Sequence, residues 1–205
     1  MKEKIMKGLK WFYESFIWLF IVLLAIDIIT KQIIMHSGVT PNSSEYVAKW
    51  GFVNIDYVLN YNAAFGLGTS NHLLSRVLYL VIASIATIGI MVYLILKRKE
   101  MKLFVRATLV LIITGAIGNM IDRIFYGPEY AVVDWIDFYW FWEFRFNIAD
   151  SCIVVAAFML IIYIIVCEVK DLLERRKAEQ AEVKQLSKTE QERLEQEQKD
   201  KDNEF

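Results

Sequence analysis

The chain is nearly without the residues that build soft-metal or thiol centres. Its 205 residues include two histidines, His36 and His72, and two cysteines, Cys152 and Cys167. No CxxC pair or Cys/His cluster occurs, so a metal site of soft ligands is not expected, and no cofactor is expected at all. The cysteines lie in one apolar block, and on a helix their spacing corresponds to roughly 22 Å, too far to bond. Neither histidine has a partnered serine or cysteine nearby, which leaves no nucleophilic triad to consider. Charge of one sign is also lacking: the net charge of −1 points to no nucleic-acid partner. A small-x-small cleavage site is missing after the first apolar stretch, which therefore reads as a retained span rather than a cleaved leader.

Apolar residues, in contrast, make up 56% of the chain and fall into four long blocks. These predict spans at about 13–34, 73–96, 103–122 and 148–168, each near the ~20 residues that cross a hydrocarbon core. Basic residues flank them on one side: Lys2, Lys4, Lys7 and Lys10 before the first, Lys97, Arg98, Lys99, Lys102 and Arg106 around the second connection, and Lys170, Arg175, Arg176 and Lys177 after the fourth. The bias places both termini in the cytoplasm and the connections 35–72 and 123–147 outside. The expected architecture is an all-α membrane protein with four transmembrane helices and a small extracytoplasmic β-sheet in the first outer loop. Its parts would be a basic cytoplasmic terminus (1–12), the membrane domain (13–168) and a charged cytoplasmic tail (169–205), helical or disordered.

The sheet is expected because Val53, Ile55, Tyr57 and Leu59 alternate with Asn54, Asp56, Val58 and Asn60, a period of two. In the second outer loop the run Tyr139-Trp140-Phe141-Trp142 suits the headgroup zone.

Ionisable groups in or beside spans are costly, about 2.5–3.5 kcal/mol each near the bilayer centre, and so mark function. They gather at the outer ends. Asp27 and Lys31 share a helical face, fitting an ion pair, a substrate-positioning role, or both. In Gly115-Ala116-Ile117-Gly118-Asn119-Met120-Ile121-Asp122-Arg123 the glycines admit a neighbouring backbone. Asn119 and Asp122 share a face there, and Arg123 could pair with Asp122 in a polar knot. In Phe146-Asn147-Ile148-Ala149-Asp150-Ser151, Asn147 is a natural helix cap and Asp150 falls in the first turn. Asp134 sits among apolar residues in Val132-Val133-Asp134-Trp135. Two carboxyls brought together at the interface would share a proton, and the ionised one could activate water against an amide. A transporter would put its carboxylates nearer the midplane, and a structural adaptor would leave these clusters without a role.

Five motifs in order, Asp27-x-x-Thr30-Lys31, Asn60-x-x-Ala63-Ala64-Phe65, Gly118-Asn119-x-x-Asp122-Arg123, Val132-Val133-Asp134 and Phe146-Asn147-x-Ala149-Asp150-Ser151, resemble those of lipoprotein signal peptidase (signal peptidase II). The resemblance covers roughly residues 13–168. It implies a monomeric aspartic endopeptidase of the bacterial cytoplasmic membrane, with Asp134 and Asp150 as catalytic dyad. It also implies that Asn60 and Arg123 hold substrate backbone, that Asn119 and Asn147 orient the dyad, and that Asp27, Lys31 and Asp122 support it. The implied substrate is a prolipoprotein whose cysteine carries diacylglycerol, held in the membrane lipid and cut just before that cysteine. The sequence departs from the family pattern at Asn62, usually glycine, at Trp135, usually phenylalanine, in the longer link through Tyr126-Gly127-Pro128-Glu129-Tyr130, and in its long tail.

Overall fold

The computed structural model describes residues 2–61, 71–126, 128–140 and 144–202. Residues Asn62, Ala63, Ala64, Phe65, Phe141 and Trp142 named above lie outside them. In chain order the elements are α1 (Lys2–Ser15), α2 (Ile17–Met35), β1 (Ala48–Trp50), β2 (Val53–Asn60), α3 (His72–Lys97), α4 (Leu103–Ile121), a π-helical turn (Asp122–Tyr126), a 3-10 turn (Pro128–Tyr130), β3 (Val132–Asp137), β4 (Arg145–Phe146) and α5 (Ile148–Asp202). The molecule is thus mostly helical with one small antiparallel sheet. Four stretches are long and apolar enough to cross a membrane: Ile17–Met35, His72–Lys97, Leu103–Phe125 and one within α5.

The first span starts at Ile17 rather than near residue 13. Phe16 adopts a left-handed backbone (φ 58°), which ends α1 and turns the chain into α2. That conformation is costly for an aromatic residue, and the carbonyls it leaves open at the end of α1 are taken up by arginines: Arg98 Nη2 donates to Trp11 O and Arg106 Nη1 to Glu14 O. Helix α4 is the central one: 44% of its most apolar window is buried, against 17% or less in the other spans. Its hydroxyls at Thr108 and Thr114 bond back to Phe104 O and Val110 O, so they are satisfied within the helix.

The glycines of α4 are contact points. A Cβ on Gly115 would strike Ala149 O and Ile153, and one on Gly118 would lie 2.7 Å from Asp27 Oδ2 and 2.9 Å from Ala149 Cβ. Only bare backbone lets the start of α5 and the acidic face of α2 come this close to α4, as the small-residue spacing indicated.

The sheet runs β1-β2-β3-β4, all antiparallel. Strand β2 has the bounds that its alternation predicts. The sheet is not confined to the first loop, however. Strands β3 and β4 come from the second connection, because β2 needs a partner on each edge and Val133 and Val132 supply apolar neighbours for Leu59 and Asn60. Ile55, Tyr57, Leu59, Ala131 and Val133 pack with Ile34 into a core under the sheet. The pairing of β2 with β3 sets both connections on the same side of the bundle. Across the strands, Arg145 reaches the carboxylates of Asp56 (3.1 Å) and Asp137 (3.6 Å).

Residues 161–205 form a second compact unit. In it α5 passes from an apolar to a charged sequence and is helical to Asp202. Both cysteines are free thiols, and Cys152 is buried against Leu111 and Ala156.

Candidate active site

All nine site residues read from the sequence meet at one end of the helices. The turn of α5 comes first. Asn147 caps it, its Oδ1 accepting from the Asp150 backbone N–H (2.8 Å), while Asp150 Oδ2 accepts in return from the Asn147 N–H (3.3 Å). This reciprocal cap, with an aspartate where glutamate is usual, fixes the Asp150 carboxyl at the helix N-terminus, where the peptide dipoles favour an anion.

The cap also leaves the other end of the Asn147 amide free to work outward. Its Nδ2 donates to Asp134 Oδ1 (2.7 Å) and Asn119 Oδ1 (3.0 Å). Asn119 Nδ2 donates to Asp150 Oδ1 (2.7 Å). Two carboxyls from different elements are therefore joined through two amides. Asn60, at the end of β2, gives a further donor to Asp134 Oδ2 (2.9 Å). Asp134 is 2% exposed. Burial pushes its carboxyl well above the usual carboxylate range, and the neighbouring Asp150 charge adds to this, against the opposing Asn60 and Asn147 donors.

Beneath lies a charged layer, fully enclosed. Lys31 Nζ bridges Asp27 Oδ2 (2.8 Å) and Asp122 Oδ2 (2.9 Å), with all three residues 3% exposed or less. Asp27 Oδ1 accepts from Ala149 N and Asp122 Oδ2 from Val133 N, which ties α2 to α5 and the π-helical turn to β3. Both readings of the Asp27 and Lys31 pair therefore start from a real ion pair. The partner of Asp122 is this lysine, not its neighbour Arg123: past α4 the chain widens into a π turn, which directs Arg123 onto the Tyr79 ring (3.8 Å). Arg123 Nη1 also donates to Asn119 O.

Two residues of α3 were not singled out from the sequence. Arg76 Nε donates to Arg123 O (2.9 Å) and its guanidinium lies 3.8 Å from the Tyr130 ring, while Tyr79 carries Arg123. They stand three apart on one helical face, and a cation within an apolar span was the available signal. The long link between the π turn and β3 takes its shape here, with Glu129 and Tyr130 both at positive φ and Tyr61 Oη donating to Glu129.

A profile of Signal peptidase (SPase) II matches residues 19–166. The chain belongs to the signal peptidase II family. It is 34% identical over 155 residues to the lipoprotein signal peptidase of Clostridioides difficile (strain 630), covering 76% of this chain and 97% of that one. With the lipoprotein signal peptidase of Desulfitobacterium hafniense (strain Y51) identity is 37% over 167 residues, 81% and 99% of the two chains. A bacterial membrane enzyme solved by the in meso method at 2.3 Å resolution superposes with a TM-score of 0.60 at 28% identity, over 73% of this chain and 86% of that one. As a member of this family the protein is a multi-pass membrane enzyme, an aspartic-type peptidase that removes signal peptides from prolipoproteins. The transporter and adaptor alternatives fall away.

Proposed function

We propose that Asp134 and Asp150 are the catalytic dyad and that they hydrolyse the amide just before a diacylglyceryl-modified cysteine. The observation that carries this reading is the pair of amides, Asn119 and Asn147, that links the two carboxyls at one helix start. Asp134, buried and facing a second carboxylate, holds the shared proton at rest. Asp150, on the helix N-terminus with donors from Asn119 and its own cap, is the ionised member. It takes a proton from water as the oxygen attacks the carbonyl carbon, while Asp134 gives its proton to the carbonyl oxygen. Collapse of the tetrahedral intermediate releases the amine of the cysteine, with a proton returned through the dyad.

Asn60, at the end of β2, and Arg123, buried against Tyr79, hold the extended substrate backbone, while Asp27, Lys31 and Asp122 keep the helices in register beneath. The sheet lies outside the membrane and both termini lie in the cytoplasm, a reading supported by the lysines and arginines that flank the spans. The lipid chains of the substrate then remain in the bilayer while its scissile bond reaches the surface, and the enzyme works as a monomer. The test is incubation of purified protein with a diacylglyceryl-modified prolipoprotein, beside Asp134→Asn and Asp150→Asn. Shortening by the wild type alone is expected. Cleavage by either variant at an undiminished rate would remove the dyad.

A further inference from the structure

At the opposite end of the helices from the carboxyls is a cavity of about 470 Å³ with no part in this chemistry. Its walls come from Met91, Leu94 and Ile95 on α3, Arg98 just after it, and Arg106, Val110, Ile113 and Ile117 on α4, with the α1–α2 corner on the remaining side. Along α4 the slot runs from Arg106 to Ile117, about three turns or ~16 Å. That is about half of a ~30 Å hydrocarbon core, the depth of one leaflet. A narrow apolar groove of this length fits a flexible hydrocarbon chain.

The mouth is charged. Arg98 and Arg106 are the ionisable groups of the lining, and no acid stands among its residues. Both guanidiniums are already positioned. Arg98 lies over the Trp11 ring and donates once, to Trp11 O. Arg106 donates three times, to Met101 O twice and Glu14 O once. A guanidinium has five N–H groups, so among the described residues both arginines keep donors for a further acceptor. Lys97, Lys99 and Lys102 lie in the same short connection. An apolar groove about one leaflet long, with two positioned arginines in its lining, has the form of a site for an anionic lipid: a chain in the groove, a phosphate across the guanidiniums.

We infer that this slot binds an anionic phospholipid of the leaflet opposite the cleavage site, and that the bound lipid fastens the α1–α2 corner to α3 and α4. The leaflet rests on the topology proposed above; the ligand class does not. The test is native mass spectrometry of the full chain, stripped of lipid in detergent and titrated with phosphatidylglycerol or with phosphatidylcholine of the same chains. Phosphatidylglycerol should bind at least tenfold tighter, since two arginines are each worth about fivefold. Arg98→Gln should weaken it about fivefold, and Leu94→Trp, which fills the slot and leaves both arginines in place, should abolish it.

Equal retention of the two lipids, or undiminished binding by both variants, would overturn the inference. So would displacement of phosphatidylglycerol by inorganic phosphate at matched concentration, which would make the site an ion site. Displacement by an apolar signal-sequence peptide would assign the slot to substrate and overturn it as well. Prolipoprotein cleavage measured on the same samples separates this failure from failure of the peptidase reading.

Discussion

Gly118→Ala tests whether close helix contact is what seats the carboxyls. The added Cβ would lie 2.7 Å from Asp27 Oδ2, where ordinary contact begins near 3.4 Å, so something must give by about 0.7 Å. Neither neighbour is free to do so. Asp27 is held by Lys31 and by the Ala149 N–H, and Ala149, 2.9 Å from the same Cβ, precedes Asp150 in the first turn of α5. Overpacking of this kind costs about 1–3 kcal/mol. Gly89→Ala is the control, since nothing stands within 4 Å of its added Cβ. Both substitutions share the helix-propensity gain of about 1 kcal/mol, so the difference between them isolates the contact. If the displacement passes to Asp150, a shift approaching 1 Å lowers kcat by up to about 100-fold. The assays are thermal unfolding in detergent and prolipoprotein cleavage, with kcat and KM resolved. Equal stability and equal kcat for Gly118→Ala and Gly89→Ala would refute the reasoning.

Asp134→Asn should stop cleavage, and its stability relative to wild type should depend on pH. The native Asp134 pKa lies above its reference of 3.8, so this carboxyl favours the fold below that reference and the advantage is lost as pH rises through the raised value. The Tm of the variant relative to wild type should therefore rise as pH increases from about 3.5; a flat difference would show that Asp134 is not proton-linked. Lys31→Met leaves Asp27 and Asp122 buried together and should cost about 3–5 kcal/mol, while the same change in an Asp27→Asn, Asp122→Asn background should cost much less; equal costs would mean that the lysine acts by size. Arg145→Gln strips two enclosed carboxylates, Asp56 and Asp137, of their cation and should destabilise the sheet by about 3 kcal/mol; hydrogen exchange of β2 and β3 unchanged from wild type would contradict this. Removal of the chain after Arg176 should leave cleavage at its full rate in detergent, and a truncated protein that inserts but does not cleave would give the tail a part in the reaction.

The spans and the strand β2 were legible because their periods are written in side chains: long apolar runs for one, alternation over Val53–Asn60 for the other. The site residues were legible because a carboxylate or amide at the end of an apolar run has a high cost and needs a reason. Pairing partners were not. The choice of Lys31 over Arg123 for Asp122 depends on a π turn after Ile121, which no local pattern in Asp122-Arg123-Ile124-Phe125-Tyr126 announces. The joining of β3 to β2 is a contact across more than seventy positions, set by packing over Ile34 and Ala131 rather than by propensity. The break at Phe16 was hidden for a related reason: a left-handed aromatic is held by Arg98 and Arg106, some eighty residues away, and nothing beside it calls for a bend.

The two asparagines explain how one turn can both cap α5 and orient the two carboxyls proposed as the dyad. An amide side chain has a donor end and an acceptor end, and which way it faces is settled by whatever binds the acceptor. Asn147 Oδ1 is taken by the helix it caps, so its Nδ2 must turn to Asp134. Asn119 Oδ1 is taken by Lys31 (3.3 Å) and by Asn147, so its Nδ2 must turn to Asp150. The charge of Lys31 polarises the Asn119 amide and makes it a stronger donor to Asp150 than a lone asparagine would be. On the proposed mechanism the lysine would thus favour the Asp150 carboxylate without pairing with it directly. An aspartate in place of Asn119 would keep the bond to Lys31 and lose the donor to Asp150. A third carboxylate would then face the pair, and the sharing of one proton between Asp134 and Asp150 would fail.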